Sequence, residues 1–295
     1  MVLGGASMKK ILIAGAWIAG VLNTGLAQQD RTGWPNELNF GVIPVEGSGD
    51  ATARMKIFVE YLSKTLGIKV NTSIGADYAA VILAMGSKKV DIGYFGPASY
   101  VQAAEQAGAE AFAKEDAIES GTGYNSILIV KTGGPIKKLE DAKGQDFAFV
   151  DPNSTSGYLV PMTHFLKDLN LKPDQYFKRV IFGGTHEANI LSVANGKVPI
   201  AATNNLDLEK TIIKGEIKRS DVTILWTSPT IPGAPLAYRK DLPTSLKEAI
   251  RNAVLSFKDP EGLKALGLKS YVAASDKEYD VIRQLNEVKK QLLGK

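Results

Sequence analysis

The richest chemistry by residue type and spacing lies at Ser154, Thr155 and Ser156, within the stretch DPNSTSGYLVP from Asp151 to Pro161. Three consecutive hydroxyls follow an Asp-Pro-Asn turn and precede an apolar run. Before them, FAFV from Phe147 to Val150 predicts a short buried strand. After them, YLVPMTHFLKDLN predicts a helix, with Pro161 close to its first turn, where proline does least harm. A strand–turn–helix start gathers free backbone N–H groups and the positive end of the helix dipole at one point, and the hydroxyls add donors. Two uses are open: a serine- and threonine-rich cap and nothing more, or an anion site.

Other chemistries are excluded by count. The chain has no cysteine and two histidines, His164 and His186. Thiol catalysis, disulfide scaffolds, cysteine-based zinc sites and multi-histidine metal sites all fall away, as does the lipid-anchored cysteine of a lipoprotein. Neither a glycine-rich phosphate loop nor a nucleophile elbow nor an HExxH helix occurs. The expectation is a protein that is not an enzyme and needs no metal or cofactor.

The elements that must position these residues alternate. LNFGVIPV, IKVNTSI, DIGYFGP, SILIV, FAFV, VIFGG and PIAAT read as strands. Between them lie helices such as the one ending at Gly67 and the one starting at Asp77, its expected N-cap. This βαβ order predicts an α/β fold with mostly parallel sheets. From Asp241 onward, LPTSLKEAIRNAVLSFK and DKEYDVIRQLNEVKKQLLGK read as amphipathic helices with no strong strand between them. The 295 residues suit two lobes with a ligand cleft between them. The expected division is 36–125 plus 229–295 for lobe 1 and 126–228 for lobe 2, with the C-terminal helices packed on lobe 1.

The N-terminus carries an address. From Met8, two lysines precede an apolar stretch from Ile11 to Leu22, then small residues up to a cleavage point after Ala27. These are the three regions of a secretory signal peptide, here with an upstream extension from Met1 to Ser7. The apolar run is short for a membrane span, so a free periplasmic protein is expected. The formal charge is +4, of which Lys9 and Lys10 supply two. That bias is too weak for a nucleic-acid partner.

In order and spacing, DPNSTSGYLVP, GGTHEANILSVANG, AATNNLDLEK and SPTIPGAPLAYRK resemble the phosphonate-binding periplasmic proteins of ABC transporters. The phosphite- and hypophosphite-binding members are the most similar group. LNFGVIP, DYAAVILAM, KVDIGYFGPASY and GYNSILIV match as well, so the likeness runs from Leu38 to about Arg283. It implies a two-lobed type II periplasmic binding fold that closes on its ligand, with the chain crossing between lobes near Ser126 and Ser228. It also implies a small phosphorus oxyanion as ligand, an inner-membrane permease as partner, and a monomer.

The resemblance assigns site residues too. Ser154, Thr155 and Ser156 would bind the phosphorus oxygens. Tyr78 would donate its hydroxyl from the opposite lobe, Tyr124 would add an aromatic contact and His186 would donate to the oxyanion. Asp207 stands where aminoalkylphosphonate binders face the ligand amine, and Tyr94 with Phe95 stands where the family carries aromatic residues near the cleft. By residue type alone, Tyr78, Tyr124 and His186 also suit structural positions, and Asp207 suits a helix cap. Strand alternation sends Tyr94 and Phe95 to opposite faces. One position departs from the pattern. Aminoalkylphosphonate binders carry an acid in an IPxDP-like loop, and this chain has Ala234 there. A buried ammonium without its carboxylate is costly. The expected ligand is therefore hypophosphite, phosphite or methylphosphonate. The alternatives are a general alkyl- or aminoalkylphosphonate transport protein and, from another class, a periplasmic phosphoesterase or an anion sensor.

Overall fold

Thirteen strands are present among the residues described in the computed structural model, which are 1–2 and 30–294. The expected signal sequence from Met8 to Ala27 lies outside the described residues. In chain order the strands are β1 (Glu37–Val42), β2 (Lys69–Ile74), β3 (Ile92–Tyr94), β4 (Ala109–Ala117), β5 (Gly123–Tyr124), β6 (Ser126–Lys131) and β7 (Asp146–Phe149). They continue with β8 (Arg179–Phe182), β9 (Ile200–Asn204), β10 (Val222–Thr227), β11 (Ile231–Pro232), β12 (Pro235–Arg239) and β13 (Leu268–Ala273). Two large sheets form, each the floor of one lobe, β13-β4-β12-β3-β1-β2 and β10-β6-β9-β7-β8, with a third, two-stranded sheet of β11 and β5.

Both sheets are mixed, which corrects the expectation of mostly parallel pairing. β1 runs parallel to β2 and β3, and β7 runs parallel to β8 and β9. The remaining strands, β12, β4 and β13 in one sheet and β6 and β10 in the other, pair antiparallel. β13 also fills the gap expected to hold no strand between the tail helices. It is an edge strand with β4 as its one neighbour, so its residues are only partly buried and its alternation is faint.

Helices cover the sheets by ordinary amphipathic logic. In Ser48–Leu66, Ala51, Met55, Phe58, Leu62 and Leu66 recur at three- and four-residue steps and are all buried. The helix stops at Gly67, whose φ of 62° is a left-handed cap suited to glycine. Phe58 meets Phe40 of β1 edge-on, 6.1 Å between ring centres, and packs with Phe257 and Tyr271. The second lobe has its own aromatic centre of Phe147, Phe149, Phe165 and Phe177.

The two passages of chain between the sheets lie side by side. β5 pairs antiparallel with β11. Just beyond, Ser228 N–H donates to the Ser126 carbonyl at 2.9 Å, and Ser126 N–H donates to the Ser228 hydroxyl at 3.0 Å.

The final helix, Asp280–Leu293, reaches further than lobe 1. Leu285 packs on the first core, Leu292 on the second, and the Lys289 ammonium lies 4.9 Å over the Tyr158 ring. Its apolar stripe is long enough to serve both lobes, a fact that its sequence pattern alone does not reveal.

Candidate functional site

The helix that begins at the three hydroxyls is wound unusually. It opens with a π turn over Thr155–Leu159, passes through one α turn over Val160–Thr163, and closes with a second π turn over His164–Asp168. Ser154 is its N-cap, accepting from Gly157 N–H at 3.0 Å. Gly157 is required there: a Cβ would sit 2.4 Å from Val150 and 2.8 Å from the Ser154 hydroxyl. Thr155 and Ser156 stand in the first turn, where backbone N–H groups have no partner inside the helix. Both residues are tied to neighbouring elements. Thr155 Oγ1 accepts from Ala98 N–H at 2.8 Å, at the start of the lobe 1 helix Pro97–Ala107. The Ser126 hydroxyl donates to the Ser156 carbonyl at 2.6 Å.

His186 faces this turn. Its helix, His186–Ala194, is capped by Thr185, so the ring is carried on the first helical residue. Its tautomer follows from its neighbours. Asn204 caps the helix Asn205–Ile213 by accepting from Asp207 N–H on Oδ1 at 2.8 Å. That fixes the amide, so Nδ2 is the group 3.3 Å from His186 Nδ1, and it can only donate. The Thr203 hydroxyl lies 3.1 Å from the same nitrogen. His186 Nδ1 is therefore an acceptor and Nε2 carries the proton, 3.4 Å from the Ser154 hydroxyl. Burial holds the imidazole below its ordinary pKa, against the pull of Asp207. The ring is a neutral N–H donor aimed at the hydroxyl turn.

These groups line one cavity of about 40 Å³ between the sheets. All eight sequence-predicted residues, Tyr78, Tyr94, Tyr124, Ser154, Thr155, Ser156, His186 and Asp207, are on its wall. Tyr78 is buried at the start of the helix Tyr78–Gly86, which Asp77 caps by accepting from Ala80 N–H. The Tyr78 hydroxyl reaches Ser154, and the Tyr124 hydroxyl reaches Thr155 and Ser156. Burial raises both phenols, so they stay protonated and able to donate. Tyr94 faces the cavity while Phe95 turns into the core, as alternation requires. Asp207 is not the cap of its helix; Asn204 is, and the Asp207 carboxylate accepts from the Asn204 amide at 2.6 Å.

Two charged residues on the wall were not foreseen. Glu115 of β4 is buried, with Oε2 3.3 Å from the Tyr94 hydroxyl and Oε1 without a partner. Its strand, AEAFAKEDA, reads as a polar surface segment, so no sequence signal marked it. Lys210 lies 3.4 Å from Asp207. Its signal was present but unread: Asp207 and Lys210 are three apart on one helix and share a face. Burial pushes the Glu115 carboxyl up, partly opposed by Lys210 and Arg54. Burial also acts on Asp207, but Lys210 and the Asn204 amide outweigh it and hold that carboxyl below its usual range. Near the acids the wall is otherwise apolar or backbone, with Ala234, Leu206 and Gly233.

A family model described as "ABC transporter, phosphonate, periplasmic substrate-binding protein" matches residues 40–279. The chain belongs to this family. Among its relatives, the phosphonates-binding periplasmic protein of Escherichia coli (strain K12) is 38% identical over 256 residues, covering 84% of this chain and 75% of that one. A binding-protein component of an ABC phosphonate transporter from Pseudomonas aeruginosa superposes with a TM-score of 0.82 at 33% identity, covering 86% and 87% of the two chains. A structure of PhnD1 from Prochlorococcus marinus (MIT 9301) in complex with methylphosphonate gives a TM-score of 0.77 at 24% identity, covering 86% and 98%. The fold is thus the α/β, two-lobed architecture of this family of periplasmic binding proteins. Among the described residues, no helix is long and apolar enough to cross a membrane.

Proposed function

We propose that the protein captures a small reduced-phosphorus oxyanion, such as phosphite, hypophosphite or methylphosphonate, and hands it to an inner-membrane permease. The observation that carries this reading is the convergence of the hydroxyl turn, the His186 Nε2–H and the Tyr78 and Tyr124 hydroxyls on one small cavity. A water needs about 10–15 Å³ by this measure, so 40 Å³ suits a ligand of only a few heavy atoms. The oxygens meet fixed donors, each charge-assisted bond contributing about 1.5–3 kcal/mol. The P–H or P–CH₃ edge faces Ala234 and its apolar neighbours. Phosphate would turn a further oxygen towards a wall that also carries the Asp207 carboxylate, which repels it. The working division of the lobes is 36–125 plus 229–295 and 126–228, with the β5–β11 pair as hinge. No covalent step is assigned to the hydroxyls; their work is to bind.

A second reading is favoured by one observation. Glu115 Oε1 is buried on the cavity wall with no partner, and it suits the ammonium of an aminoalkylphosphonate. Calorimetry of the purified protein separates the two. Hypophosphite, phosphite, methylphosphonate, 2-aminoethylphosphonate and phosphate are titrated in one buffer at one ionic strength. The expected result is tight binding of a small ligand with a P–H or P–CH₃ edge and weak binding of the amine and of phosphate. Tightest binding of 2-aminoethylphosphonate would overturn the small-anion reading in favour of the second.

A further inference from the structure

We propose that Lys210 is a specificity-determining residue that places the chain's own ammonium where the ammonium of an aminophosphonate would otherwise sit. The inference rests on the reading above that the cavity takes a phosphorus oxyanion. Three observations carry it. Lys210 and Asp207 both line the cavity, and Lys210 Nζ lies 3.4 Å from Asp207 Oδ1. The lysine side chain is only 23% exposed, whereas lysines normally hold the ammonium in water. Glu115, a second acid on the same wall, feels Lys210 first and the Arg54 guanidinium after it among the cations that act on it. The chain's own ammonium thus sits on Asp207, and its charge also acts on Glu115, the second carboxyl that would recognise a ligand amine.

The consequence is a choice of ligand by charge. An incoming ammonium must displace Lys210 from Asp207 or lie beside it, and two like charges in a water-poor cavity repel. A ligand with no amine meets an ion pair that is already satisfied. Ala234 supplies no further carboxylate to offset the repulsion.

The test compares the protein with Lys210→Met and Lys210→Ala by calorimetry with methylphosphonate and 2-aminoethylphosphonate. Loss of a nearby cation weakens both phosphoryl contacts alike, so the informative quantity is the ratio of the two affinities. That ratio should shift towards the amine by about tenfold or more, the value of one charge-assisted bond. Adding Asp207→Asn to Lys210→Ala should remove most of the gain. A ratio that moves by less than about twofold in both variants overturns the proposal. Preference of the unmodified protein for the amine would sink the small-anion reading, while the ratio would still judge Lys210. If neither ligand binds, carboxyl NMR titration decides: Lys210→Met should raise the Glu115 titration, and an unmoved Glu115 refutes the counter-ion role.

Discussion

Ser154 has two tasks, and two substitutions separate them. Its hydroxyl oxygen accepts from Gly157 N–H at 3.0 Å, which caps the helix, and under the proposed function its proton serves an anion oxygen. Ser154→Ala removes both. Loss of the cap costs about 1 kcal/mol, which lowers the melting temperature by about 2–4 °C in a chain of this size. Loss of one charge-assisted bond costs about 1.5–3 kcal/mol of binding, or roughly 10- to 150-fold in affinity. Ser154→Gly differs in only one of these respects. Glycine is a tolerable cap, within a few tenths of a kcal/mol of serine, yet it offers the ligand no hydroxyl. The two variants should therefore share one weakened affinity in calorimetry and part in thermal melts, with alanine the less stable. Affinities that track the melting temperatures, or that fall by less than about threefold in both variants, would mean that the hydroxyl only caps the helix.

Two further outcomes follow from the charges. Burial raises the Glu115 carboxyl, so the folded chain keeps a proton that the unfolded chain has released. That contribution to stability is complete below the ordinary pKa of 4.5 and is lost as pH rises through the folded value. Glu115→Gln should accordingly melt higher than the unmodified protein near neutral pH, with the gap closing towards about pH 4.5; a gap constant with pH would contradict this. Lys214 Nζ lies 2.7, 2.9 and 2.8 Å from Glu46, Asp50 and Glu187, joining the first lobe to the second. Lys214→Met leaves three carboxylates facing one another across the cleft, so ligand affinity should fall a few-fold at low ionic strength and recover with salt. A loss insensitive to salt would assign the lysine a packing role instead.

The sequence was most legible where local rules act alone. Asp77 and the glycine stop at Gly67 announced their helix ends, and the hydroxyl run announced a strand–turn–helix start. Resemblance then gathered eight residues that the structure places on one cavity wall, although Tyr78, Tyr124 and His186 each suited a core position by type. What stayed hidden depends on contacts far apart in the chain. Glu115 looks like a surface residue because charged residues flank it in β4, and those neighbours, Lys114 and Asp116, are themselves only partly buried. Asp207 looked like a cap because asparagine and aspartate cap helices about equally well, and Asn204 stands only three residues before it. β13 was invisible because an edge strand half in water carries little pattern, and sheet direction is set by pairings that no single segment encodes.

The span of the last helix has a mechanical meaning. Two chain crossings lying side by side, as β5 and β11 do, define an axle about which the lobes can swing freely. Leu285 and Leu292 fasten a third member to both lobes. A door held on one hinge line opens wide; the same door with a stay bar opens only as far as the bar allows. On the proposed hinge, the ligand would be exchanged through a narrow gape, and the permease would meet a receptor whose open and closed outlines differ modestly. Trimming the chain before Leu285 should therefore widen the swing measured by solution scattering and speed ligand release.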